Sequence, residues 1–307
     1  MSKPPTLTLP PTARAYRLAT ARGEFAVHEA VPGGPARGTA LLVPGYTGSK
    51  EDFNGLLEPL SAAGYRVVAV DGRGQHESGG PRTQAPYALA ELARDVLAQT
   101  AALGAAGPVH LLGHSLGGLI VRAAVVRDPA PYASLTLLSS GPGAVCADQQ
   151  GRTKLLISAL EAMGDDMPGI WAAMRAMDPR DAPPEDPALA AFLRARWLGT
   201  VPEQLMVTGR ALIEEPDRID ELAAAAPGLA KLVLSGASDP VWPVSEMDGM
   251  ARRLGAARVV VPGTEHSPNA EDPAATAAAL AAFWRASEGS VEGSVEGPLT
   301  SPVPVSS

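Results

Sequence analysis

The chain predicts an α/β fold: a doubly wound, mostly parallel sheet interrupted by a helical cap insertion. Three observations carry this expectation. Short, almost wholly apolar runs alternate with longer segments of helical period, and alternating β and α elements build a sheet with helices on both faces. The strand-like runs carry few polar residues, which marks strands buried on both faces, as parallel strands are. One interval, residues 143–227, breaks the alternation with helical pieces and prolines only. An excursion of that length between two strands is not a structureless loop in a compact domain, so it reads as a helical insertion over one edge of the sheet.

Taken in order, Gly23–Ala30 and Thr39–Val43 read as strands, followed by a helix over Asp52–Ala63 with Phe53, Leu56, Leu57 and Leu60 on one face. Tyr65–Val70 is a strand, Tyr87–Leu103 a helix, Pro108–Leu112 a strand and Leu116–Arg127 a helix. Leu135–Leu138 and Lys231–Leu234 are strands on either side of the insertion. Ser245–Leu254 is a helix and Ala257–Val261 the last strand. Pro273–Arg285 closes the pattern as a helix, with Asp272 as its N-cap and Pro273 at the first helical position. The ends differ in composition. Residues 1–12 hold four prolines and little periodicity and are expected to be a flexible tail; residues 288–307 repeat Glu-Gly-Ser-Val before a proline/serine stretch and are expected to be disordered. The core is then 13–142 with 228–287, and the cap 143–227.

Composition narrows the function. Hydrophobic residues make up 46% and charged residues 19% of the 307, an ordinary globular mix. Lysine and arginine (25) against aspartate and glutamate (33) leave a net charge of −8, with no basic run, which argues against a nucleic-acid partner. No apolar stretch reaches the roughly 18–20 residues of a membrane span, and the start lacks the pattern of a secretory signal. The single cysteine, Cys146, can form neither an internal disulfide nor a thiolate metal site, and reads as a small buried hydrophobe. A cytoplasmic protein without cofactor or metal is expected, acting on a small molecule; its oligomeric state is not encoded in any pattern.

The sharpest local signal is Gly113-His114-Ser115-Leu116-Gly117, set directly between a buried strand and a helix. There the serine occupies a tight turn that only glycines can flank, its hydroxyl projects from the C-terminal edge of the sheet, and the helix start supplies free N–H groups. A serine hydroxyl needs a base within hydrogen-bond reach. Of the five histidines, His28 and His110 lie on strands and read as structural, and His114 is turned away from its neighbour. His76 lies in the loop 71–80 and reads as a structural loop residue, with a place bordering the site as the alternative. His266 stands just past the last strand, at the same sheet edge as Ser115, and is the expected base.

The third group must be a carboxylate that holds the imidazole tautomer. Asp239 follows the strand Lys231–Leu234 and gives the chain order Ser115, Asp239, His266, with Asp148 as a rival; Glu265 reads as solvated. Two N–H donors are needed for an oxyanion. The amide of Leu116 is one, and the loop Pro44-Gly45-Tyr46-Thr47-Gly48 offers that of Tyr46 as the second.

These residues resemble the α/β-hydrolase superfamily over about Gly23–Arg285, and the segment Pro44–Ser49 is most similar to bacterial monoacylglycerol lipases and carboxylesterases. The stretch Asp71–Ser78 resembles the family loop Asp-x-Arg-Gly-x-Gly-x-Ser, with His76 in place of the second glycine, and Pro44 stands where the family usually has histidine. The insertion resembles the family's cap. The resemblance implies a serine carboxylic-ester hydrolase working through an acyl-enzyme. It also admits a ligand receptor that retains the three residues, or an acyltransferase. In the cap, Met167, Trp171 and Met174 share a helical face and Trp197 accompanies them. They are expected either to line a pocket for an apolar acyl group or to pack the cap onto the main domain.

Overall fold

The computed structural model describes residues 2–177 and 186–292. Eight strands form one sheet: β1 (Ala13–Thr20), β2 (Gly23–Ala30), β3 (Gly38–Val43), β4 (Tyr65–Val70), β5 (Val109–His114), β6 (Tyr132–Leu138), β7 (Ala230–Gly236) and β8 (Ala257–Val261). Their spatial order is β1-β2-β4-β3-β5-β6-β7-β8. The first hairpin is antiparallel, β2 pairs antiparallel with β4, and every pairing from β4 to β8 is parallel. Period-two alternation divides the central strands between two cores. Leu41, Val43 and Leu111 face one side, Ala40, Leu42 and Leu112 the other.

Helices α1 (Asn54–Ala62), α2 (Leu89–Ala102) and α3 (Leu116–Arg127) follow β3, β4 and β5. Past β6 come α4 (Ala147–Met163), α5 (Met167–Met177), α6 (Pro187–Gly199), α7 (Pro202–Glu214) and α8 (Ile219–Ala225). The chain closes with α9 (Val244–Leu254), the short α10 (Pro268–Glu271) and α11 (Pro273–Glu292). Leu119, Val121, Leu222, Met247 and Met250 bring α3, α8 and α9 onto one face. Leu56, Leu60, Leu280 and Trp284 bring α1 and α11 onto the other. Asp272 caps α11 as expected: its Oδ1 accepts from the Ala275 N–H at 3.0 Å.

The structure corrects four expectations. β1 has no counterpart among the expected strands, because this edge strand is largely exposed and carries no apolar run. Residues 2–12 are docked against the body. Pro4 is buried, and the carbonyls of Ser2 and Thr6 accept from the buried Arg196 and Asn54, whose donors need partners. α11 continues through Glu292, and Glu288, expected in a tail, hydrogen-bonds Tyr65 and Arg37; residues 293–307 lie outside the described part. Finally, Ile219 and Leu222 place α8 in the main core, so the helices layered over the sheet edge are α4–α7.

Candidate active site

Parallel strands bring all their C-terminal ends to one edge, and the expected residues meet there. Ser115 stands between β5 and α3 with φ 55° and ψ −121°, a left-handed conformation that strains any side-chain-bearing residue. The strain is held from both sides. The Ser115 N–H extends the ladder to the Leu138 carbonyl at 2.9 Å, and a Cβ on Gly117 would collide with the carbonyl oxygens of Val43 and Pro44. Only glycine lets the start of α3 approach the end of β3 so closely.

His266 lies on the loop after β8 with Nε2 3.0 Å from Ser115 Oγ. Its Nδ1 lies 3.0 Å from each carboxylate oxygen of Asp239, on the loop after β7. The Asp239 side chain is fully buried while that of His266 is 22% exposed, so the acid is dry and the imidazole edge opens outward. Asp239 is aimed by its own backbone: Oδ1 also accepts from the N–H groups of Val241 (2.8 Å) and Trp242 (3.2 Å). The rival Asp148 is exposed in the first turn of α4.

Several supports carried no recognisable signal in the sequence. The buried Trp242 donates Nε1–H to the Gly143 and Ala144 carbonyls at 3.0 and 3.1 Å, pinning the acid loop to the chain leaving β6. Gly236 lets the histidine loop cross the end of β7, since a Cβ there would strike the Thr264 and Glu265 carbonyls. His114 reads as turned away, yet it supports the histidine loop: its Nε2–H donates to the His266 carbonyl at 2.9 Å. Burial holds the His114 pKa down at about 3, so it is a neutral, permanent donor.

The loop after β3 passes directly beside Ser115, with a Gly45 Cβ position 3.2 Å from Ser115 Cβ. The backbone N–H groups of Tyr46 and Leu116 donate to no acceptor among the described residues. Tyr46 turns its ring into the cap and donates its hydroxyl to the Leu205 carbonyl at 2.7 Å; burial raises its pKa. His76 has φ 41°, the left-handed turn that a glycine takes without strain, and its ring packs edge-on against Phe192 of α6.

Beneath this loop lies a charge cluster around the buried Lys50. The Lys50 ammonium contacts Glu51, Asp71 and Glu77 at 2.8, 3.0 and 2.8 Å. Burial alone would lower the Lys50 pKa, but the surrounding carboxylates raise it. Burial pushes the Asp71 carboxyl up to about 7 against the pull of Lys50. Among the described residues, Glu51, His76 and Glu77 bring ligand atoms within 4.8 Å of one another, but the Lys50 ammonium already contacts both carboxylates at 2.8 Å.

Of the residues expected around a substrate, Met167 and Trp197 form the interior of the cap with Leu160, Ile170 and Leu205. Trp197 Nε1–H is spent on the Met167 carbonyl at 2.8 Å. Trp171 and Met174 are only partly buried at the border of this cluster, which Tyr46 also joins.

A serine on a strained strand–helix turn, a histidine and a buried aspartate thus meet at one edge of a mostly parallel sheet on a doubly wound fold. The chain belongs to the alpha/beta hydrolase family: residues 40–279 match the model of that family. It is 31% identical over 242 residues to a monoacylglycerol lipase of Mycolicibacterium smegmatis, covering 75% of this chain and 81% of the relative. Among solved structures, a thermophilic esterase from Thermogutta terrifontis superimposes with a TM-score of 0.70 at 23% identity, covering 89% of this chain and 99% of the esterase. An esterase from Exiguobacterium antarcticum does so with a TM-score of 0.67 at 18% identity, covering 89% and 100%. These two likenesses concern the fold. No helix among the described residues is long and apolar enough to cross a membrane.

Proposed function

We propose that this protein is a serine carboxylic-ester hydrolase acting through an acyl-enzyme on small or lipophilic acyl substrates. The supporting observation is the bifunctional placement of one imidazole, with Nε2 3.0 Å from Ser115 Oγ and Nδ1 3.0 Å from the Asp239 carboxylate. Asp239 holds the Nδ1–H tautomer, which leaves the Nε2 lone pair facing the hydroxyl. His266 takes the proton as Ser115 Oγ attacks the ester carbonyl carbon. The carbonyl oxygen becomes an oxyanion, for which the Tyr46 and Leu116 amides are the donors at hand. On collapse, His266 protonates the departing alcohol, and a water activated by the same imidazole then releases the acid. The similarity to a monoacylglycerol lipase favours a lipophilic acyl group. Trp171 and Met174, bordering the cluster that reaches the oxyanion loop through Tyr46, are the side chains offered for its chain.

The test is hydrolysis of p-nitrophenyl esters from C2 to C16 by the protein and by Ser115→Ala. An acyl burst followed by steady turnover is expected, reduced at least ~10²–10³-fold in the variant, since oxyanion binding alone retains only part of the catalysis. Equal rates would remove Ser115 from the reaction.

A further inference from the structure

We propose that Gln75 is a positioning residue for catalysis: it fixes the Gly45–Tyr46 peptide so that the Tyr46 N–H is aimed at the oxyanion. The proposal rests on the acyl-enzyme reading above and deepens it.

Gln75 lies on the loop after β4 and is buried. Its side chain spans to the loop after β3, where Nε2–H donates to the Gly45 carbonyl at 2.8 Å. At its other corner, Oε1 accepts from the Gly72 N–H at 3.0 Å. This pair of bonds fixes the amide's orientation. Flipping it would set two oxygens face to face at Gly45 and two N–H groups face to face at Gly72.

The carbonyl that Gln75 holds is one half of a single planar unit. In a trans peptide, the oxygen of residue 45 and the amide hydrogen of residue 46 point in opposite directions. Anchoring that oxygen to Gln75 therefore sets the direction of the Tyr46 N–H. A carbonyl that accepts a hydrogen bond also polarises its own amide, making the N–H a stronger donor.

The Tyr46 amide has no acceptor among the described residues, and its loop lies against Ser115. The Gly45 carbonyl receives one other bond, from the Gly48 N–H at 3.2 Å. That bond comes from within the same loop, so it shapes the turn but cannot place it against the rest of the site. Gln75 comes from a different loop, itself tied down where Asp71 Oδ1 accepts the Lys50 N–H at 2.7 Å. The left-handed φ of 41° at His76 follows immediately, reversing the chain just beyond Gln75.

The experiment compares Gln75→Met and Gln75→Glu with the parent and with Ser115→Ala. Glutamate keeps the shape and the acceptor for Gly72 while removing the donor to Gly45, so it carries the test should methionine impair folding. Steady-state ester hydrolysis is measured beside inhibition by an alkyl trifluoromethyl ketone, which forms a tetrahedral oxyanion adduct with a reactive serine. Losing an oxyanion donor costs about 10²–10³ in kcat, and a donor kept but misdirected is expected to cost ~10–100-fold. The ketone should weaken by the same factor, with KM within about threefold of the parent, because the ground-state ester depends little on this amide. A lowered kcat with undiminished ketone inhibition would overturn the proposal, as would unchanged kcat in Gln75→Glu beside an inert Ser115→Ala. Full turnover by Ser115→Ala would overturn the acyl-enzyme reading and this proposal with it.

Discussion

Replacing Asp239 by asparagine changes one atom of the site and reverses one hydrogen bond. The two backbone bonds that Oδ1 accepts, from Val241 at 2.8 Å and Trp242 at 3.2 Å, survive if the asparagine carbonyl takes that position. The amino group then replaces Oδ2, which lies 3.0 Å from His266 Nδ1. A donor now faces Nδ1, so Nδ1 must present its lone pair and the ring proton moves to Nε2. That is the nitrogen 3.0 Å from Ser115 Oγ, and once protonated it can no longer accept the serine proton.

The same exchange in serine proteases lowers kcat by about 10⁴ while leaving the geometry intact. At 1.36 kcal/mol per decade this is about 5 kcal/mol of transition-state stabilisation. A loss of ~10³–10⁴ is therefore expected at neutral pH, with little change in the unfolding temperature because no backbone hydrogen bond is removed. The assay is p-nitrophenyl ester turnover, paired with thermal unfolding followed by circular dichroism. Turnover above a tenth of the parent's would refute the tautomer reasoning. A loss of rate accompanied by unfolding would show instead that Asp239 serves the loop rather than the imidazole.

Two further predictions concern stability. Arg196 of α6 and Asp52 form a pair at 2.8 Å with both side chains buried, and burial raises the Asp52 pKa against the opposing pull of Arg196. Arg196→Met should destabilise by about 3–5 kcal/mol because it strands a buried charge, and adding Asp52→Asn should restore part of that loss. Urea titrations of both variants check this, and a double variant no better than the single would count against it. His110 stacks on Trp284 and shares a hydrogen bond with Ser134 at 2.8 Å, and burial lowers its pKa from 6.5 to about 4, Glu288 opposing only weakly. The unfolded chain therefore binds this proton below pH 6.5 while the folded chain resists it, so the contribution present above 6.5 is lost as the pH falls toward 4. At 1.36 kcal/mol per unit the loss at pH 5 is about 2 kcal/mol, and His110→Asn should show that much less destabilisation between pH 7 and pH 5. Parallel losses in the two proteins would contradict the assignment.

What could be read from the sequence and what could not divides along a physical line. Ser115, Asp239 and His266 were legible because each is placed by its own strand end, and a parallel sheet gathers such ends at one edge whatever the loops do. The loop at Tyr46 was legible for the same reason. Gln75 was not: its bond exists only because Gly45, 30 residues earlier in another loop, lies across from it. The docked N-terminal segment is hidden in the same way, since its prolines suggest a free tail and the donor that its Ser2 carbonyl accepts from belongs to the distant Arg196. Helical spacing put Met167, Trp171 and Met174 on one face, yet spacing does not say whether a face meets a ligand or its own neighbours. Trp197 resolves that for the inner half, because an indole N–H committed to the Met167 carbonyl is part of the cap's interior. The convergence of these three side chains is thus encoded at the strand ends that carry them, while the contacts that hold them come from partners on other crossovers. It follows that the residues most worth mutating next are buried polar side chains that bridge two loops at this edge, with Gln75 and His114 foremost.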